Sequence, residues 1–345
     1  MASWRPRMNE TTIKHGTIVL LLAIAILSSI IIMASPHPMQ SLKIFFTGAF
    51  SSSYAAGNML AQASLLLLTG MGTIIAFRSG SFNLGGEGQV YASAAASVSV
   101  ALALGNTSLP PLAGIVLIIS AGTLCGAVLA AISGLSRLKW QADELITSFM
   151  IGAAAIPLVN YFFQHTIPDP GSSLLRTPFI ASNLQLSRIL PPSLLSLGAL
   201  VALAVWAVGC IFIDHGIYGS RLKLAGSCPD FADSEGLPTK KIRANGFIIS
   251  GALHGFAGSL LVAGMYHAGI VGFSQGLGWN GIAVALIAGN HPKRLLPAAI
   301  LFSCIVTGAK QASILSNLHL DAGILLQAIV FLVITIQITR TRRQA

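Results

Sequence analysis

Stretches of about twenty consecutive apolar residues recur along this chain, and the short clusters between them hold nearly all of its charge. A run of that length crosses the ~30 Å hydrocarbon core of a bilayer as an α-helix, which satisfies its backbone N–H and C=O groups within the segment. A membrane strand would need only ~10 residues of alternating pattern, so the runs select helices over a barrel. Composition agrees, because 54% of the 345 residues are hydrophobic and 9% charged, whereas soluble domains carry about 25% charged residues. With a mean hydropathy of +0.78, a water-soluble enzyme is excluded and an all-α, polytopic membrane protein in contact with the lipid bilayer is predicted. The net charge of +10 is what Lys- and Arg-rich cytoplasmic loops produce, so no nucleic-acid partner is expected. Cys125, Cys210, Cys228 and Cys304 are isolated in the sequence and point to packing thiols rather than a zinc site or a disulfide framework.

Ten spans are predicted, at about 17–34, 58–77, 85–104, 111–135, 144–163, 193–214, 243–266, 279–290, 294–315 and 322–339. The first run exceeds the roughly 7 to 15 apolar residues of a secretion signal and is expected to be a retained helix. Basic residues then sort the loops. Arg5, Arg7 and Lys14, then Arg78, then Arg137 with Lys139, then Arg221 through Arg243, then Lys293 with Arg294, and finally Arg340, Arg342 and Arg343 all fall on one side. The alternate loops hold only Lys43, Arg176 and Arg188. Both termini are therefore expected in the cytoplasm, with the chain multi-pass in the membrane.

Two places break the pattern. The 279–290 run is too short to span, and Gly80, Gly85, Gly86 and Gly88 crowd a membrane edge. Broken helices follow, because non-helical backbone at membrane depth survives only inside protein or along a wet cavity. Gly80-Ser81-Phe82-Asn83-Leu84-Gly85 opens one helix after a span, and Gly272-Phe273-Ser274-Gln275-Gly276-Leu277-Gly278 opens another after the span ending near Tyr266. Two inverted-topology repeats are read, about 58–163 and 243–339, within a single transmembrane domain over 1–345; such repeats favour alternating access.

Charge inside the spans is scarce, which argues against proton or sodium coupling. Glu87 is either a helix-start carboxylate satisfying the local dipole or a path-lining group, and Lys310 either snorkels to the outer surface or faces the path. Asp143 and Glu144 are placed to cap the helix that follows them. His254, alone among eight histidines in lying deep within a span, reads as a hydrogen-bonded packing residue. The chain has no HExxH, no Gly-Lys dipeptide and hence no phosphate-cradling loop, and no acidic pair suited to Mg²⁺, so neither enzymatic activity, a metal, nor a cofactor is expected. The most polar stretch, 214–243, contains Pro229 through Gly236, which reads as one or two helical turns opened by Pro and closed by Gly. It is either a solvated loop or a docking helix for a soluble partner.

Three stretches, Arg78 through Gln89, Leu224 through Gly236, and Gly278-Trp279-Asn280-Gly281-Ile282-Ala283-Val284-Ala285-Leu286, resemble the permease subunits of bacterial ABC importers for simple sugars and nucleosides, a group that includes ribose and branched-chain amino-acid permeases. The form is closest to the nucleoside type. The resemblance implies an inner-membrane permease subunit without catalytic residues, driven by a cytoplasmic ATP-binding subunit, fed by an extracytoplasmic substrate-binding protein and paired with a second permease, a heterodimer rather than a homodimer. It implies a substrate path near Asn58, Phe82, Asn83, Glu87, Gln89, Phe273, Trp279 and Asn280, and ATPase coupling through Ala225, Gly226, Pro229, Asp230, Ala232, Glu235 and Gly236. The chain departs from the family pattern in the acidic Asp233 and Glu235 of the coupling segment and in Asn280, where an acid is common. A stand-alone secondary carrier is the alternative.

Overall fold

Proline and polar caps punctuate the chain into helices. The computed structural model describes residues 21–316, apart from 23, 34 and 106, together with Leu325 and Ala328. The predicted 322–339 span, the start of the 17–34 span and both termini lie outside the described residues. The helices run α1 (Ile24–Met33), α2 (Pro38–Thr47), α3 (Ser53–Arg78), α4 (Gly86–Leu104), α5 (Pro111–Trp140), α6 (Glu144–Tyr161), α7 (Leu197–His215), α8 (Ile217–Ser227), α9 (Pro229–Ser234), α10 (Thr239–Leu260), α11 (Leu277–Ile287) and α12 (Pro292–Ser316). Pro38, Pro111 and Pro229 sit in first turns, where their missing N–H costs nothing. Ser52, Asp143 and Ser196 accept a backbone N–H at the starts of α3, α6 and α7, so Asp143 caps as predicted.

Six helices among the described residues are long and apolar enough to cross a membrane: α3, α5, α6 with its π-helical continuation to Thr166, α7, α10 with its π-helical continuation to Tyr266, and α12. The remaining predicted spans inside the described region are shorter or less apolar. Two helices occupy segments read as loops. α2 lies in an expected outer loop and buries Phe45 against α12, where a side chain on Gly308 would meet the Phe45 carbonyl. α8 precedes α9 in the polar segment and buries Leu222 and Ala225, a one-turn spacing that marks a single inward face.

Burial separates the helices into a centre and a periphery. In α3 and α10, 83% and 72% of the spanning stretch is buried, against 22% for α5, α6 and α7. The centre is assembled from small residues, which let helix backbones approach where lipid supplies no hydrophobic drive. At the α5–α10 crossing, a Cβ on Gly126 would lie 2.7 Å from the Gly255 Cα and overlap the Gly251 carbonyl. Beside it, Ser97 and Ser259 pair through their hydroxyls at 3.0 Å. His254 packs between Gly72 and Gly86, its Nδ1 2.8 Å from the Ser250 carbonyl oxygen.

The two glycine-rich breaks meet inside this centre. Gly80, Gly272 and Gly276 adopt left-handed φ of 71°, 72° and 76°, which only glycine adopts without strain. Asn83 fixes the first break. Its Nδ2 donates to Gln89 Oε1 at 2.9 Å and to Ser250 Oγ at 3.0 Å, while its Oδ1 accepts from Gly85 N–H at 3.1 Å. The second break leads into α11, whose 11 residues reach ~16 Å, about half of a bilayer core. The start of α11 abuts the start of α4, since a Cβ on Gly278 would lie 2.6 Å from the Glu87 Cα. There Glu87, in the first turn of α4, accepts from Gly278 N–H at 2.7 Å and from the Ser274 hydroxyl. The Gly276 N-cap offers no side chain, so a carboxylate from another helix caps α11 and meets its dipole.

Two outcomes test this packing through thermal unfolding in detergent. Gly126→Ala is expected to destabilise by about 1–3 kcal/mol through overpacking, whereas Gly134→Ala on the same helix, whose added Cβ would meet nothing closer than 3.6 Å, is expected to be neutral or to stabilise by up to about 1 kcal/mol through helix propensity. Glu87→Ala should cost about 2–4 kcal/mol, because it strips the buried start of α11 of a charged acceptor, and Glu87→Gln should cost less, because it keeps an acceptor oxygen.

Candidate functional site

Polar side chains placed four residues apart on α3, Tyr54, Asn58 and Gln62, share one face of an otherwise apolar helix. They open onto a cavity of about 210 Å³ that is also lined by Phe273, Ser274, Gln275 and Asn280 from the second break and the start of α11, by Tyr266 at the end of the α10 π turn, and by Thr307, Lys310 and Gln311 from α12. Leu65, Leu194, Leu261 and Leu277 supply apolar walls. Asn58 is held by the Leu194 N–H, which donates to its Oδ1 at 2.9 Å. Asn280 is buried, its Nδ2 donates to the Gln275 carbonyl at 3.3 Å, and its Oδ1 is buried without a partner. A buried acceptor left unmatched costs about 1–3 kcal/mol, and here it belongs to a residue that lines the cavity. Phe273 stacks at a tilt on Tyr91 with ring centres 4.7 Å apart. Just past α10, burial and the nearby Arg188 push the His267 imidazole below its ordinary pKa.

The structure thus brings three of the predicted path residues, Asn58, Phe273 and Asn280, to one cavity. Asn83, Gln89 and Glu87 are buried in the joint between the breaks. Phe82 is exposed beside Phe77, ring centres 5.0 Å apart, and Trp279 meets Phe149 edge-on at 6.2 Å. Lys310 is exposed and lines the cavity. Gln62, Tyr54, Thr307 and Gln311 were not foreseen. Their signal is in the sequence: Thr307, Lys310, Gln311 and Ile314 follow the i, i+3, i+4, i+7 pattern of one helix face.

The opposite end of the bundle is basic. Asp214 pairs with Arg78 at 3.3 Å and Lys293 at 3.9 Å, and Arg243 donates to the Gly80 carbonyl. The predicted coupling residues sit here. Ala225 and Ala232 are buried, whereas Asp230, Phe231, Asp233, Glu235 and Gly236 are exposed. Pro229 opens α9, and Gly236, at φ 75°, follows its end. Gly226 lies against the first break, where a side chain would overlap the Arg78 carbonyl and come 2.7 Å from Gly80 N. α8, the helix that precedes the exposed α9, is therefore in backbone contact with the loop that leads into α4 and Glu87. Among the described residues no group of three or more His, Cys, Asp or Glu could hold a metal ion, and the four cysteines are free.

The family described as "Branched-chain amino acid transport system / permease component" matches residues 55–337. Among curated proteins, the chain is 32% identical to "Probable riboflavin import permease protein RfuC" of Treponema pallidum (strain Nichols), over 94% of this chain and 85% of that one. It is 27% identical to "Guanosine ABC transporter permease protein NupP" of Bacillus subtilis (strain 168), over 89% and 86%. It is 29% identical to "Nucleoside ABC transporter permease protein NupB" of Lactococcus lactis subsp. cremoris (strain MG1363), over 88% and 85%. With its membrane-length helices, its paired breaks and a match across most of its length, the chain belongs to the branched-chain amino acid transport system permease family, the permease components of ABC transporters.

Proposed function

We propose that this chain is the membrane subunit of an ATP-driven importer that carries nucleosides, or related solutes in which a sugar-like chain is joined to a flat ring, across the inner membrane by alternating access. The observation that carries the reading is the cavity in which Asn58, Gln62 and Asn280 present amides beside Tyr54, Tyr266 and Phe273. Amides match ribose hydroxyls and base edges, and aromatic rings match a planar heterocycle. Guanosine and riboflavin, named for two of the relatives, both join a planar heterocycle to a five-carbon polyhydroxy group, a ribose ring in one and an open ribityl chain in the other. At about 210 Å³ the cavity falls below the ~300–1,000 Å³ usual for ligand sites, which fits a path completed by a second permease subunit. Relatives named NupP and NupQ from one Bacillus strain support a pair of different permeases.

The basic end faces the cytoplasm in this reading, the cavity faces the outer binding protein, and α9 is the docking helix for a separate ATP-hydrolysing subunit. The two breaks belong to inverted repeats within a ten-span domain, and both termini are cytoplasmic. Movement of α9 would reach the first break through Gly226 and the second through Glu87.

Uptake of radiolabelled guanosine, adenosine, uridine, riboflavin and ribose, with and without the gene and after ATP depletion that spares the membrane potential, tests the reading. Loss of uptake in both conditions is expected; uptake that survives without ATP and collapses with the ion gradient would establish a secondary carrier instead. Asn280→Ala should reduce uptake of the preferred solute about 5- to 30-fold, the equivalent of one lost hydrogen bond of about 1–2 kcal/mol, without lowering membrane abundance. Glu235→Arg and Gly236→Pro should each abolish co-purification of the ATPase while leaving insertion intact. Proline cannot adopt the positive φ at position 236, where the N–H also donates to the Asp233 carbonyl at 3.0 Å.

A further inference from the structure

At the basic end, the last turn of α5 and the first turns of α6 and α10 enclose a second cavity, of about 390 Å³. Its lining includes Arg137, Lys240 and Arg243 against one carboxylate, Glu144. Arg137 pairs with Glu144. Among the described residues neither Lys240 nor Arg243 has a carboxylate within ion-pair distance. Arg243 gives one nitrogen to the Gly80 carbonyl, and its Nε is buried with no hydrogen-bond partner. Three cations facing one anion leave an excess of two positive charges around one concavity, and of these the partly buried guanidinium of Arg243 is the one that is costly to leave unpaired. Gln141, which turns the chain between α5 and α6 at a left-handed φ of 54°, and the Ser81 hydroxyl add neutral polar groups to the lining, while Leu138 and Phe247 provide an apolar side.

We propose that this cavity binds a phosphate group, carried either by an anionic phospholipid or by a soluble phosphate ester. Two guanidinium groups and an ammonium suit phosphate oxygens through charge-assisted hydrogen bonds. The cavity lies at the level of helix ends, where headgroups sit. Basic pockets between membrane helices on the cytoplasmic side recur as sites for lipid phosphates. The apolar side provided by Leu138 and Phe247 would receive the glycerol and first methylenes of such a lipid. Arg243 also holds the carbonyl of Gly80, so an occupant of the cavity would lie beside the loop that joins α3 to α4 and packs against α8 at Gly226. The proposal rests on the charge and shape of the cavity and not on which solute crosses the membrane.

Thermal unfolding of the delipidated full chain in detergent tests it. Phosphatidylglycerol, phosphatidylcholine and glycerol 3-phosphate are added separately at matched ionic strength. Phosphatidylglycerol is expected to raise the midpoint by about 3 °C or more relative to phosphatidylcholine. The shift should shrink to less than half in Lys240→Gln, a change at an exposed residue that leaves folding intact, and vanish in Lys240→Gln combined with Arg243→Gln. Arg221→Gln with Lys223→Gln, which removes two exposed cations outside the cavity, should keep the full shift. Stabilisation by glycerol 3-phosphate with the same dependence on Lys240 would assign the site to a soluble ester; stabilisation by phosphatidylglycerol alone would assign it to lipid. An equal response of the native chain and the Lys240→Gln variant, or no response to either phosphate compound, would overturn the proposal.

Discussion

The carboxylate of Glu87 accepts the backbone N–H of Gly278 and the hydroxyl of Ser274, and through those bonds the start of α11 is anchored to the start of α4. A helix half the thickness of a bilayer begins with unsatisfied N–H groups inside the protein. Something must supply an acceptor there, and the Gly276 cap has no side chain to do it. Glu87 supplies it from the other half of the chain. One bond set therefore fixes the depth of α11, the position of Asn280 one turn inside it, and the spacing of the two breaks.

Around that joint the core is organised by closeness rather than by bulk. Gly126 faces Gly251 and Gly255, Gly88 faces Gly152, and Gly281 faces Thr69. Such contacts leave no room for even one added methyl group, so the helices at the centre resist sliding independently. The peripheral helices α5, α6 and α7 turn most of their apolar surface outward, as lipid-facing helices must. The faces of α5 and α6 that carry Gly126 and Gly152 belong to that close-fitting centre, and only their outer faces are left to lipid.

The two ends of the bundle differ in chemistry. Amides and aromatic rings gather at one, and Arg137, Lys240 and Arg243 gather at the other. Asp230, Asp233 and Glu235 are exposed around Phe231 on α9 and just after it, a small acidic patch.

The sequence by itself determined the solvent, the helical class and the position of most spans, because apolar run length and basic loops follow directly from the cost of placing polar groups in hydrocarbon. It also marked both breaks, since glycine clusters at a membrane edge have few other uses, and it placed the turn at Pro229 through Gly236. Asn58, Phe273 and Asn280 stood out in the sequence as candidates, and the fold brings them to one cavity. What Glu87 caps was not legible, because its partner lies 191 residues away and only folding brings α11 beside α4. The same holds for α8 and for the meeting of Gln62 with Asn280 and Lys310. Short helices and shared cavities depend on which faces pack together, and in a chain that is apolar on nearly every face, periodicity cannot say which neighbour each face will find. Tertiary structure decided those neighbours through close backbone approach and through hydrogen bonds, such as those of Glu87 and Asn83, that only the packed helices can make.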